Sequence, residues 1–186
     1  MRIVFIGPPG AGKGTQAQRL EQSHGITHLS TGDMLRDACQ AASELGRKAS
    51  HFMETGKLVP DDVVIGIVGE RLSKPDCAEG CLFDGFPRTV PQAAALDKLL
   101  HERGTKIDLA LELQVDKQHL VERLLARGRG DDQMETIGER FREYDRLTEP
   151  LLEYYRKRRI LRQIDGDAPP DVVYERIQAA IAGVAE

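Results

Sequence analysis

The segment Gly7-Pro8-Pro9-Gly10-Ala11-Gly12-Lys13-Gly14-Thr15 follows a short apolar run over Arg2–Ile6 and precedes a helical pattern over 13–23. Glycine, four residues, then glycine-lysine, set between a strand and a helix, is the phosphate-loop pattern in its required context. The residue types follow from the chemistry. Glycines let backbone N–H groups turn inward with no Cβ in the way. Those groups, with the N-terminus of the next helix, offer partial positive charge to phosphate oxygens. Lys13 adds a full charge able to follow the β- and γ-phosphates of a nucleotide. Gly10, Ala11, Gly12, Lys13, Gly14 and Thr15 are therefore candidate nucleotide-binding residues. Gly14 stands where most such loops carry the hydroxyl that holds magnesium, and Thr15 is the available substitute. A dinucleotide fingerprint is disfavoured, since it needs glycine or alanine at position 15 after Gly10 and Gly12. Four glycines and a lysine at this spacing also argue against a turn that binds nothing.

Strand and helix patterns alternate outward from this loop. Apolar runs predict strands over Arg2–Ile6, Cys81–Asp84, 107–115 and 160–164. Helical periodicity covers 13–23, two stretches within 31–56 split near Ser43 and closed by Gly56, and 61–73 with Asp61 as its cap after Pro60. It continues over 89–103, closed by Gly104, and from the capping Asp116 to Ala126. It resumes over 134–158, broken at Pro150, and over 171–182. Such alternation predicts an α/β fold, a parallel sheet with helices on both faces. Two segments stand outside it, 30–59 and 126–136. Inserts on a rigid scaffold commonly serve as covers over a ligand site.

The chain has 186 residues, enough for one domain with a proper core. No run of 18 apolar residues exists, so no transmembrane helix and no membrane partner is expected. The first apolar run gives way to glycine and proline after Ile6, too short for a signal-peptide core, so a cytoplasmic location is expected. Cys39, Cys77 and Cys81 are an odd, sparse set, and Cys77 and Cys81 are too loosely spaced for a zinc knuckle; they read as free thiols. A net charge of −4 argues against general nucleic-acid binding. Positive charge is nevertheless crowded at Arg123, Arg127, Arg129, Arg140, Arg142 and Arg146, which suits a compact polyanion. His24, His28, His51, His101 and His119 read as surface or packing residues.

Three further segments narrow the chemistry. They are Ser30-Thr31-Gly32-Asp33-Met34-Leu35-Arg36, Gly56-Lys57-Leu58-Val59-Pro60-Asp61, and Asp84-Gly85-Phe86-Pro87-Arg88-Thr89 with Gln92. Together with the loop at 7–15, in this order, they resemble the adenylate kinase family of nucleoside-monophosphate kinases, in its short-lid form. The resemblance runs through Arg129–Asp132 and Arg140 to the final helix. It implies a phosphate-loop NTPase-type sheet made of 1–29, 60–125 and 137–186, a monophosphate-binding insert at 30–59 and a short lid at 126–136. It also implies Mg²⁺-dependent transfer of a phosphoryl group from ATP to AMP, giving two ADP, by a monomer.

Residue by residue, Arg36 and Arg88 are fork donors from separate segments, suited to clamp the α-phosphate of a monophosphate. The resemblance implies that Asp84 orders Mg²⁺ through water. It implies that Thr31 and Gln92 read adenine, with backbone groups of Lys57, Leu58, Val59 and of Gly85, Phe86, Pro87 and Arg88 closing the pocket. Related uridylate/cytidylate kinases tend to carry alanine where this chain has Thr31, which favours AMP. Arg123 and Arg127, four residues apart, share one helix face and repel each other without an anion. By resemblance Arg123 stacks on the ATP adenine, Arg127 grips its phosphates, Arg129 and Arg140 approach the moving phosphoryl group, and Ala168 lends a backbone contact to the base. The bland alternative pairs these arginines with Glu122 and Glu139. Residues 126–136 hold no cysteine or histidine, so no structural zinc is expected. The rival readings are a UMP/CMP kinase and a non-catalytic nucleotide-sensing module.

Overall fold

Successive side chains of a strand alternate between faces, and here that alternation builds two cores on one sheet. In β1 (Arg2–Ile6), Ile3 and Phe5 join one core while Val4 and Ile6 join the other, and all four are buried. The computed structural model describes residues 1–41, 44–130 and 132–183. Among them, β1 is joined by β2 (Thr27–Ser30), β3 (Cys81–Asp84), β4 (Leu109–Gln114) and β5 (Leu161–Asp165) in a parallel sheet of order β2-β3-β1-β4-β5. The helices are α1 (Lys13–His24), α2 (Thr31–Gln40), α3 (Glu44–Glu54), α4 (Asp61–Leu72), α5 (Val90–His101), α6 (Lys117–Arg127), α7 (Met134–Glu143), α8 (Pro150–Lys157) and α9 (Pro170–Ala182). One face packs Val4, Ile6 and Phe83 against Val68 of α4, Leu96 and Leu100 of α5 and Leu151 and Tyr155 of α8. The other packs Ile3, Phe5, Leu82 and Leu111 against Leu20 of α1, Leu124 of α6 and Ile177 of α9. The expected α/β architecture with helices on both faces is what the chain adopts. No helix among the described residues is long and apolar enough to cross a membrane.

Several sequence expectations need correction. The strand β2 has no counterpart in them. It is an edge strand in which only Leu29 is buried, so it lacks the apolar run by which β1 and β3 announce themselves. The segment at 107–115 pairs only over Leu109–Gln114. Asp61 is not a cap: Pro60 holds that position without a side-chain bond, and the Asp61 carboxylate turns instead to Thr89 and Gln92. Thr89 lies outside α5 and caps it, its hydroxyl accepting from the Gln92 N–H. The break at Pro150 begins upstream. A proline cannot donate to the carbonyl four residues before it, and the chain widens into a π turn over Tyr144–Thr148, where the Glu149 N–H reaches Tyr144 O at 2.9 Å. Pro150 then opens α8 where its missing donor costs nothing. The split near Ser43 lies outside the described residues.

Parallel register brings the carboxyl ends of the strands together. Phe5 and Ser30 both pair with Asp84, so the loop after β1 opens beside Asp84 and the start of α2. Ligands of open α/β sheets bind outside this edge.

Candidate active site

At Gly10 the loop at 7–15 packs against α6 too closely for a side chain. Gly10 has φ +86, and a Cβ on it would lie 2.8 Å from the Leu120 carbonyl. Gly12 occupies the cap position of α1 with no side-chain cap, so the helix end faces the cleft. Lys13, half-buried at this end, donates from Nζ to Gly7 O at 2.7 Å and to Pro8 O at 3.0 Å. Burial, with Arg88, Arg140 and Arg127 adding to it, pulls its pKa down to about 8 despite the nearby Asp84 carboxylate.

Asp84 ends β3 with a nearly buried side chain. Burial alone would raise its pKa, but the His28 hydrogen bond at 3.3 Å and the charges of Lys13 and Arg88 hold it below the usual carboxylate range. His28 therefore contradicts its reading as a surface or packing residue. It sits on β2, the strand the sequence hides, and its ring reaches Asp84 beside the phosphate loop. His119 is a surface residue as read, and its Nδ1 lies 2.7 Å from Asp167 Oδ1. Thr15, His28 and Asp84 all line a cleft of about 640 Å³ on the phosphate-loop side, together with Gly10, Ala11, Gly12, Lys13 and Gly14. One carboxylate and one hydroxyl at this point form a hard oxygen donor set, which fits Mg²⁺ that keeps several waters.

A second pocket opens on the other side of Arg88. Thr31, Arg36, Lys57, Leu58, Val59, Gly85, Arg88, Gln92 and Arg140 line it. Thr31 is buried, with Oγ1 donating to Asp84 O at 3.3 Å. Gly85 has φ +80 and would bring a Cβ to 2.8 Å from that same hydroxyl. Pro87 lines an adjoining hollow with Lys13 and Arg140. Phe86 is wholly buried in the core, so only its backbone can face a ligand. Arg88 donates from Nε to Gly85 O at 2.8 Å. Arg36 pairs with Asp33, whose amide donates to the Ser30 hydroxyl at the start of α2. Burial works against the Asp33 charge, but Ser30, Arg36 and, more remotely, Arg129 lower its pKa. Gly32, Arg36, Gly85, Arg88 and Arg140 line both this pocket and the larger cleft, so the two compartments meet at three guanidinium groups.

On the far wall, α6 carries Arg123 and Arg127 on one face. Arg123 reaches the Gly166 carbonyl at 3.3 Å, and Ala168 lines the same cleft two residues on. Arg127 makes a two-pronged pair with Asp132, 2.8 Å from Nε and 2.6 Å from Nη2. Arg140 donates to Asp132 at 3.2 Å and the Arg129 N–H at 3.1 Å. The Asp132 side chain is completely enclosed. It is the residue the sequence reading missed: one carboxylate gathers three of the arginines expected to handle phosphate. Its signal was an acid within a glycine-rich arginine loop; its neighbour Asp131 lies outside the described residues. Arginine pairing with Glu139 does occur, but by Arg142, outside the cleft. Arg129 itself lines the larger cleft at the phosphate loop and not the second pocket.

The arrangement has counterparts among known proteins. The family model described as adenylate kinase matches residues 5–160. The adenylate kinase of Azorhizobium caulinodans is 50% identical over 191 residues, covering 97% of this chain and 98% of the relative. That of Xanthobacter autotrophicus is 49% identical and covers 100% of both chains. That of Archaeoglobus fulgidus is 43% identical over 212 residues, covering 97% of this chain and 98% of its own. A phosphate loop, a second pocket and an arginine junction between them, in a chain that matches these proteins from end to end, lead to one assignment: the chain belongs to the adenylate kinase family.

Proposed function

We propose that this chain moves the terminal phosphoryl group of ATP onto AMP, giving two ADP, and that the reaction occurs where its two compartments meet. The observation that carries this is the set of residues shared by both, Arg36, Arg88 and Arg140, with Lys13 on the triphosphate side. ATP, AMP and ADP are the substrates and products of the family. In the proposed reaction an oxygen of the AMP phosphate forms a bond to the γ-phosphorus as the bond to the β–γ bridging oxygen breaks, and ADP leaves. Phosphoryl transfer of this kind needs alignment and charge stabilisation more than a covalent catalyst. Lys13 follows the transferred group, Arg88 and Arg36 hold the acceptor phosphate, and Arg129 and Arg140 neutralise charge from the opposite wall. Arg123 and the Gly166–Ala168 backbone hold the base of ATP, and Arg127 its phosphates. Mg²⁺ enters with ATP, and Asp84 with Thr15 would hold it through water. We read 30–59 as the insert that carries the acceptor site and 126–136 as the lid; their closure would keep water from competing with AMP. We place the enzyme in the cytoplasm as a monomer; the free thiols Cys39, Cys77 and Cys81 support a reducing compartment.

Thr31 and Gln92 should select adenine. A site built to hydrogen-bond its substrate discriminates strongly against one that lacks the partners. With saturating Mg-ATP, kcat/KM for AMP is expected to exceed that for UMP and CMP by roughly 10²-fold or more. UMP used as well as AMP would overturn the assignment in favour of a pyrimidine acceptor, and tight ATP binding with no turnover of any monophosphate would favour a sensing module. Metal analysis of dialysed protein should find no stoichiometric zinc, while EDTA should abolish turnover by stripping Mg²⁺ from ATP. One tightly held zinc per chain would contradict this reading of the lid.

A further inference from the structure

Gln92 is almost fully buried at the back of the monophosphate pocket, and half of its hydrogen-bonding capacity is used by the protein. A glutamine amide has two N–H donors at one end and two acceptor lone pairs at the other. The Arg88 backbone N–H donates to Oε1 at 2.7 Å. Nε2 donates to Asp61 Oδ1 at 2.7 Å. Asp61 is held in turn, its other oxygen accepting from the Thr89 hydroxyl at 3.0 Å, and that hydroxyl accepts from the Gln92 amide N–H at 3.2 Å. One N–H and one lone pair of Gln92 remain for a ligand. Turning the amide over would set its oxygen against the Asp61 carboxylate and its nitrogen against the Arg88 N–H. Both contacts would be repulsive in a buried setting, where an unpaired polar group is costly.

We propose that Asp61 is a specificity-determining positioning residue. By holding the Nε2 end of Gln92, it fixes the amide in the one orientation that pairs with a 6-aminopurine and opposes a 6-oxopurine. The inference rests on the reading of this pocket as the AMP site. Adenine presents a donor at its 6-amino group and an acceptor at N1, which match the free lone pair of Oε1 and the free N–H of Nε2. Hypoxanthine presents the reverse pattern, an acceptor at O6 and a donor at N1. Asp61 lies directly after the 57–59 backbone and Pro60, so the wall of the base pocket itself delivers the lock.

The unaltered enzyme supplies the first test, with AMP, purine riboside 5′-monophosphate and IMP as acceptors. Purine riboside 5′-monophosphate keeps the N1 acceptor and carries no group at C6. A locked amide merely loses one bond to it, but meets IMP donor to donor and acceptor to acceptor. The expected order of kcat/KM is AMP, then purine riboside 5′-monophosphate, then IMP. An amide free to turn would regain two bonds with IMP, so IMP ahead of the purine riboside compound overturns the proposal. The second test is Asp61→Asn, which can face either end of the Gln92 amide. The AMP-to-IMP ratio of kcat/KM should fall by roughly tenfold or more, with the KM for ATP unchanged. A merely structural role for Asp61 would lower AMP and IMP use in parallel, and that result would also overturn the proposal. If the variant does not fold, the order in the unaltered enzyme decides. Failure to use AMP at all would sink the functional reading and this inference together, whereas good AMP turnover with IMP ahead of the purine riboside compound sinks the inference alone.

Discussion

Lys13→Met is expected to lower kcat by roughly 10²-fold or more, the cost of losing one well-placed donor to the charge that develops in transfer. The Lys13 ammonium sits where burial has already removed much of its water, and its two present acceptors are carbonyls of its own loop. A triphosphate would replace those neutral acceptors by anionic oxygens, in a setting where charge pairs are stronger than in water. Methionine keeps the length and apolar shaft of the side chain and removes the charge and all three donors. The consequence for folding has the opposite sign. Burial, the main cause, lowers the lysine pKa from 10.5 to about 8. The folded chain then binds fewer protons than the unfolded chain between those values, and its stability rises with pH there. Below pH 8 the cost of keeping the ammonium charged is fully present, so Lys13→Met should match or exceed the parent in Tm at pH 7. The parent should gain on it as pH rises through 8 toward 10.5. ATP binding, which favours the ammonium, should take up protons above pH 8, and kcat/KM for ATP should fall there. Turnover measurements and calorimetry in buffers of different ionisation heat check both halves. Near-normal turnover by the variant would remove Lys13 from the reaction.

The phosphate loop was legible because its chemistry demands particular residues at fixed spacing, and β1, β3 and the sheet type followed from apolar runs around it. Arg36, Arg88 and Gln92 were legible only through a resemblance spanning several segments, since a single arginine carries no local signal of what it faces. What stayed hidden is the network that holds those residues. Asp61 has the sequence context of a helix cap, yet its carboxylate crosses to Thr89 and Gln92. His28 lies in an edge strand too polar to register as one, and only the pairing of β2 with β3 brings it to Asp84. Asp132 looks like part of a solvated glycine-rich loop until Arg127 and Arg140 fold over it. Each of these contacts joins residues whose relation is set by tertiary packing, to which local pattern is blind.

Asp132→Ala should therefore have the second large effect. The Asp132 carboxylate is fully enclosed while Arg140 and Arg127 remain partly open to solvent, at 17% and 32% exposure. Removing one member of such a group takes compensating charge from the others, which costs several kcal/mol when burial is complete. With the arginines partly wet, a loss of about 2–3 kcal/mol is expected, scaled down from that case, and a fall in Tm of roughly 5–10 °C for a chain of this size. The expected activity loss is tenfold or more, because Arg127 and Arg140 would repel each other away from the point where Lys13 and Arg88 converge. Acid separates this account from a simple packing defect. Burial opposes the Asp132 charge, but the Arg127 hydrogen bonds, the Arg129 N–H and the Arg127 and Arg140 charges outweigh it and lower its pKa below the ordinary 3.8. A carboxylate whose pKa falls on folding stabilises the protein above its unfolded value and loses that contribution as pH drops through the folded one. The gap in Tm between parent and Asp132→Ala should thus be constant from pH 7 to about 5 and close below about 4. A gap that persists unchanged into that acid range would mean the enclosed side chain acts by filling space, and the arginines would have to be held in place by something other than its charge.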